Sequence, residues 1–333
     1  MNKKAGRPRI EEVARRAGVS SATVSRFFSR RDLVSDKTAE RIKKVADELG
    51  YRPNRLAGSL VTRRSRLVAL LVPALTESPF NAMIEAIVDA LGERGYTAML
   101  GLTGNKYENM DKVIETALGL RVDGIIVTGV INDPATRTAL RSEDVTVVET
   151  WGLPLAPIDC AVGFSHHEMG RMTAEFIQRR GYQFPLIVTA RGSRAAQRRD
   201  GFVSEWAKLT AADYEDIQVD IPYGFGQARS VFRQMRSLAT QPDVVICGSD
   251  ALALGIIVEA GRAGLSVPDD LAVIGLGNRS IAGDMRPSLT TISIDGHRIG
   301  QEAAKLFHDR AEGKDDGQRI IDVGFQLIER ESA

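Results

Sequence analysis

Four arginines, Arg191, Arg194, Arg198 and Arg199, crowd the end of the apolar run FPLIVTA, which stops at Ala190. If that run is a strand feeding a helix, the arginines stand at a helix N-terminus. Orphan backbone N–H groups there already favour anions, and a planar guanidinium fork fits a carboxylate. A second group able to do chemistry lies near the other end of the chain: Ser20, Ser21, Ala22, Thr23, Ser25 and Arg26 within VSSATVSRFFS. Hydroxyls and a guanidinium along one short helix suit hydrogen bonding to phosphates and base edges. Residue types used in catalysis are not arranged for it. His166, His167, His297 and His308 show no metal-ligand spacing with Cys160 and Cys247, and no serine sits in a G-x-S-x-G elbow. Gly275-Leu276-Gly277 lacks the third glycine of a dinucleotide fingerprint. No catalytic residue, metal or cofactor is expected, and a glycosyltransferase-like two-lobed enzyme is the nearest catalytic competitor. The His166-His167 pair, at the start of a helix, fits a ligand contact or a surface position equally.

The serine-rich stretch belongs to two short helices joined by a tight turn. The first spans Ile10–Ala17, buries Val13, Ala14 and Ala17, and stops at Gly18, the residue best able to take a left-handed C-cap. Val19 plugs the core. Ser20 is a good N-cap for a second helix with Val24, Phe27 and Phe28 on its apolar side, leaving Ser21, Ala22, Ser25 and Arg26 facing outward. A helical hairpin inside some other domain would look similar, but the flanks argue against it. DKTAERIKKVADEL (Asp36–Leu49) closes a three-helix core with Ile42, Val45, Ala46 and Leu49, ends at Gly50, and leads into the basic segment YRPNRLAGSLVTRRSR.

Charge divides the chain the same way. The 333 residues carry a net +1, yet residues 1–66 sum to +11 and the remainder to −10. A basic module on an acidic body fits a polyanion-binding head attached to a sensor better than a merely solubilising head. With 43% hydrophobic and 26% charged residues this is an ordinary globular composition. No apolar run of about 18 residues exists, so no membrane span is expected. The start MNKKAGRPRIEE has no apolar stretch behind its basic residues, and the two distant cysteines read as buried thiols, which together imply a cytoplasmic protein.

From Leu67 the pattern alternates buried strands with helices. Strands are expected at 67–73, 96–102, 123–129 and 146–150, with helices at 80–94, 108–120 and 134–141. A second series follows the Gly/Pro-rich passage 151–157: helices at 168–180, 195–208, 227–238 and 251–263, and strands at 184–190, 217–221, 243–248 and 271–277. Late elements at 290–295, 297–312, 320–322 and 325–328 cross back between the two lobes. The fold class is therefore α/β: a helix-turn-helix headpiece, then a bilobal core of two doubly wound parallel sheets. The expected domains are 1–52 for the headpiece, 53–66 for a hinge helix and linker, and 67–333 for the core. Lobe one takes 67–163 and 292–321, lobe two 164–291 and 322–333. Because open α/β sheets bind ligands beyond their strand C-termini, the cleft should be lined by 74–80, including Thr76 and Phe80, and by 191–198, 249–250 and 277–280.

VARRAGVSSATVSRFFS followed by ELGYRPNRLAGSL resembles the headpiece and hinge of the LacI/GalR family of bacterial repressors, and the two-lobed layout resembles the type I periplasmic-binding-protein core of that family. The resemblance implies a repressor that reads a pseudo-palindromic DNA operator as a homodimer and answers to a small-molecule effector. It makes Ser21, Ala22 and Arg26 the base readers, places Thr23 and Ser25 nearer phosphates, and extends the DNA contacts to Ser20 and to Asn54, Arg55, Ala57 and the wedge residue Leu60 of the hinge. Gly58, where the family has a long side chain, weakens that hinge helix. RRDGF matches the family's effector-binding arginine at Arg198, three residues before a glycine-aromatic pair, and Ser249-Asp250 stands where many members have Asn-Asp. Gly277 replaces an acidic residue that hydrogen-bonds sugar hydroxyls. That departure favours a sugar acid over a neutral sugar or nucleobase. Within the family, LVPALT, GYTAMLG, IDCAVGF and IDVGFQL look most like the gluconate-utilisation repressors. A sugar-binding transport component is the alternative of a different class, and the headpiece argues against it.

Overall fold

The structure, a computed structural model, describes residues 8–52, 64–75, 80–143, 145–220, 224–314, 317 and 319–333. The chain forms two compact units, Met1–Arg66 and Leu67–Ala333. In the first, α1 (Ile10–Ala17) ends at Gly18 with φ 61°, and Ser20 caps α2 (Ser21–Ser29) by accepting from the Thr23 N–H at 3.1 Å. Helix α3 (Asp36–Leu49) ends at Gly50 with φ 63°. Val13, Ala14, Ala17, Val24, Ala39, Ile42 and Ala46 form the core, with Val19, Phe27, Val45 and Leu49 packed at its edge. Phe28, expected on the apolar side of α2, is instead 38% exposed and lies 4.8 Å from Phe27 and 5.7 Å from Tyr51. A core this small fills with Val, Ala and Ile, so a second phenyl ring is left at the rim. The hinge expected over 53–66 lies mostly outside the described residues, as does Thr76.

The second unit begins with β1 (Leu67–Val72), α4 (Asn81–Glu93), β2 (Thr97–Leu102), α5 (Met110–Gly119), β3 (Gly124–Thr128), α6 (Pro134–Ser142), β4 (Thr146–Thr150) and β5 (Cys160–Gly163). It continues with α7 (His166–Arg179), β6 (Pro185–Ala190), α8 (Ser193–Leu209), β7 (Glu215–Val219), α9 (Ala228–Arg236), β8 (Val244–Cys247), α10 (Asp250–Arg262), β9 (Ala272–Leu276), α11 (Ile281–Asp284) and β10 (Thr290–Ser293). Last come α12 (Gly296–Ala311), β11 (Ile320–Asp322) and β12 (Gln326–Ile328). The strands make two six-stranded sheets of matching order, β2-β1-β3-β4-β5-β11 and β7-β6-β8-β9-β10-β12, parallel except where β12 runs against β10.

Strand β1 shows why an unbroken apolar run marks such a sheet: Val68, Leu70 and Val72 enter one core and Ala69 and Leu71 the other, on opposite faces. Helix α12 returns to the first lobe, where Ile299, Ala303 and Phe307 are buried. The chain therefore passes between lobes three times, after β5, β10 and β11. Strand β5 has no counterpart among the sequence expectations, since four residues behind a Gly/Pro-rich passage give too short a pattern to read. Strand β7 lies two residues earlier than expected, and α7 starts at His166 because Ser165 caps it, accepting from the Glu168 N–H at 3.1 Å.

Candidate functional site

In the first unit, capping decides which side chains of α2 are available. Ser20 is engaged with the Thr23 N–H and lies 2.9 Å from the Thr23 hydroxyl, so these two stabilise the start of the helix. Ala22, Ser25 and Arg26 are exposed and Ser21 half-buried, one face of the helix presenting them together. The Arg26 guanidinium has no hydrogen-bond or ion-pair partner among the described residues, whereas Arg31 donates to Asp36 at 2.9 Å and to the Val34 carbonyl at 2.9 Å. Asn54, Arg55, Ala57 and Leu60 lie outside the described residues.

In the second unit, the four crowded arginines separate into two pairs. Arg191 pairs with Asp220 at 3.5 Å, and Arg199 donates to Asp216 at 2.5 Å, so both serve the edge of the second sheet. Arg194 and Arg198, one helical turn apart on α8, turn toward the first lobe instead. The Arg194 guanidinium lies over the Phe80 ring, 5.4 Å from its centroid. Arg198 donates from Nη1 to His166 Nδ1 at 3.1 Å. The close approach of α7 and α8 that brings these groups together depends on two glycines. A Cβ on Gly170 would stand 1.9 Å from the Arg198 carbonyl oxygen, and one on Gly201 would stand 2.0 Å from that of His167.

The bond between Arg198 and His166 fixes the imidazole tautomer. A guanidinium only donates, so Nδ1 accepts and the proton sits on Nε2. Nε2 in turn donates to the Trp151 carbonyl at 2.9 Å. Burial, then the positive charges of Arg198 and Arg194, push His166 down to a pKa of about 3, so it is neutral at physiological pH. Trp151 closes β4 with φ 61°, packs against Phe80 at 4.8 Å and Phe164 at 5.7 Å, and directs its indole N–H to Met83 Sδ at 3.0 Å. Of the two adjacent histidines, then, His166 is buried within the site and His167 is exposed.

The remaining expected positions gather at the C-terminal ends of β8 and β9. Ser249 caps α10, accepting from the Leu252 N–H at 3.2 Å. Asp250 is 0% exposed, with Oδ1 accepting from the Thr291 hydroxyl at 2.5 Å and Oδ2 from the Arg279 N–H at 2.7 Å. Burial raises its pKa against those hydrogen bonds. Its carboxylate thus holds the 277–279 loop rather than facing solvent. Gly277 has φ 129°, and a Cβ there would lie 3.5 Å from Asp250 Oδ2, so an acid at this position would place a second carboxylate beside a buried one. A largely apolar cavity lined by Thr173, Thr189, Ile246, Gly248 and Leu276 reaches Arg198. Sequence reasoning missed Trp151, whose positive φ has no sequence mark, and the buried Glu149, which accepts from the Ile131 and Ile158 N–H groups at 2.9 and 2.8 Å and pairs with Arg137.

Residues 9–54 match the family described as bacterial regulatory proteins, lacI family, and residues 173–333 match the periplasmic binding protein-like domain. The chain is 31% identical over 322 residues to the HTH-type transcriptional regulator GntR of Escherichia coli strain K12, covering 96% of this chain and 97% of that protein. It is 29% identical over 327 residues to the HTH-type transcriptional repressor PurR of Vibrio atlanticus, covering 96% and 97%. Among solved structures, a lacI-family transcriptional regulator from Silicibacter pomeroyi superposes with a TM-score of 0.89 at 26% identity, covering 98% of this chain and 99% of that one.

Proposed function

Because the chain belongs to the lacI family of bacterial regulatory proteins, as a DNA-binding transcriptional repressor that binds a small-molecule effector, we propose that it works in the cytoplasm as a homodimer on a pseudo-palindromic operator and that its effector is a sugar acid such as gluconate or a ketogluconate. Ser21, Ala22 and Arg26 read bases, Thr23 and Ser25 stand near phosphates, and Ser20 with Asn54, Arg55, Ala57 and Leu60 of the hinge extends the DNA contact. Exposed apolar side chains on the core, among them Val88, Leu100, Leu102, Phe225 and Val258, support the dimer.

One observation carries the effector reading: Arg198 presents its guanidinium at a cleft whose nearest histidine is held neutral and whose position 277 carries no carboxylate. An acid group on the ligand gains a charge-assisted hydrogen bond from Arg198 and meets no acidic side chain at Gly277. Hydroxyls reach Ser249 and the loop that Asp250 holds, Phe80 closes the other side, and Thr76 is a further effector contact. An effector that binds one lobe arrangement better shifts operator affinity by its differential binding, about 1–3 kcal/mol between such sites. Calorimetric titration with gluconate, ketogluconate, galactose, ribose and hypoxanthine tests this, with Arg198→Ala alongside. The acids bind the wild type and lose affinity in the variant. A response to galactose, ribose or hypoxanthine with none to either acid would reject the sugar-acid reading.

A further inference from the structure

Helix α8 belongs to the second lobe and Trp151 to the end of β4 in the first, yet a continuous chain of hydrogen bonds joins them: Arg198 Nη1 to His166 Nδ1 at 3.1 Å, and His166 Nε2 to the Trp151 carbonyl at 2.9 Å. The imidazole is 4% exposed and packs against Phe164 with ring centroids 4.6 Å apart, so it has little freedom to turn. Both of its nitrogens have a partner, one in each direction. Its other neighbours in the same contact are first-lobe aromatics, since Phe80 and Phe164 both touch the Trp151 indole. Position 166 thus links the Arg198 guanidinium of α8 to the Trp151 carbonyl of the first lobe by hydrogen bonds.

We propose that His166 is a positioning residue that converts ligand occupancy of Arg198 into a change in the tie between lobes. The inference rests on the reading of Arg198 as the effector's anchor. When Arg198 turns to an anionic ligand, its donation to Nδ1 weakens, and the imidazole no longer has a fixed acceptor role holding Nε2–H toward Trp151. The bond across the lobes is then released. Such a link transmits a signal only if the ligand binds the two lobe arrangements with different affinity, which a tie made in one arrangement supplies.

The two halves of the link can be cut separately. In His166→Asn the amide oxygen stands about where Nδ1 was and still accepts from Arg198, but nothing reaches the Trp151 carbonyl. In His166→Gln the amide nitrogen stands about where Nε2 was and still donates to Trp151, while the acceptor for Arg198 is lost. Arg198→Met cuts the same end as His166→Gln from the other side. In a Trp206→Phe background Trp151 is the one remaining tryptophan of two, and its quenching by acrylamide reports opening of the lobes. Without any effector, His166→Asn and Arg198→Met raise the quenching, whereas His166→Gln, whose amide donates to the Trp151 carbonyl without help from the arginine, leaves it at the wild-type level. Asn and Gln variants that change quenching and melting temperature alike, or not at all, overturn the proposal, because a purely structural histidine does not distinguish its two ends.

With gluconate as probe and an operator obtained by in vitro selection, the wild-type effector response of about 5- to 150-fold typical of coupled sites falls to within about threefold of no response in His166→Asn, while gluconate affinity is retained. If wild-type protein ignores gluconate, the sugar-acid reading fails. The effector-free quenching still decides the role of His166.

Discussion

Arg26 is exposed on the outward face of α2 and has no ion-pair partner among the described residues, which leaves its guanidinium available for a guanine edge. Replacing it by Ala should cost about 1–3 kcal/mol of operator affinity and relax preference at one base pair. Operator selection with the variant checks this, and retention of the wild-type consensus at full affinity would remove the assignment. His166 makes a different residue-scale prediction, through pH. Its pKa is about 3 in the folded chain against an ordinary 6.5, so below pH 6.5 the unfolded chain takes up a proton that the folded chain refuses. Stability therefore falls as pH drops from about 6.5 toward 3, by up to about 1.4 kcal/mol per pH unit from this one group. Arg198 and Arg194 are the charged groups that face it. Denaturant unfolding between pH 7 and 5 should show a shallower slope in His166→Gln, and parallel slopes would place the pH dependence elsewhere. Glu149 and Asp250, whose pKa values burial raises, act with the opposite sign, so the difference between wild type and variant isolates the histidine.

At the scale of elements, the contact between α7 and α8 depends on Gly170 and Gly201, where each backbone touches the other helix directly. Gly201→Ala would place a methyl group 2.0 Å from the His167 carbonyl oxygen, a backbone atom that cannot swing aside. The helices must separate, at a cost of about 1–3 kcal/mol for overpacking, and Arg198 moves away from His166 with them. Melting temperature and effector affinity should therefore fall together. A normal effector affinity at reduced stability would show that the helix crossing does not position the arginine. The cap of α2 is a milder case: Ser20→Ala removes the acceptor of the Thr23 N–H and should weaken the helix without touching its exposed face.

At the scale of the molecule, the +11 of residues 1–66 against the −10 of the rest concentrates the positive potential in the first unit, and operator binding should fall steeply with added salt. The core carries exposed Phe225 beside α10 and exposed Val258 on it, on the second lobe, and exposed Val88, Leu100 and Leu102 on the first. Sedimentation equilibrium should return twice the chain mass, and Phe225→Asp combined with Val258→Asp should shift the protein toward monomer and weaken its hold on a two-half-site operator. A monomeric wild type that binds the full operator with unchanged affinity would contradict the homodimer.

The sequence by itself determined the local units. Gly18, Ser20 and Gly50 act on backbone groups within a few residues, so the bounds of the three headpiece helices could be read from residue type alone. Long apolar runs such as LVALLV likewise announced strands buried on both faces, and repetition of the pattern implied two lobes. Only the tertiary structure decided which of four adjacent arginines faces the cleft. Arg191 and Arg199 are drawn to Asp220 and Asp216, just after and on a strand whose partner in the sheet is set by long-range pairing. It also decided that Asp250 faces inward to the 277–279 loop, that one histidine of an adjacent pair is buried and the other exposed, and that Cys160–Gly163 is a strand. Each of these depends on groups brought together from tens of residues apart, and side-chain type and local spacing hold no information about that approach until the two sheets have formed.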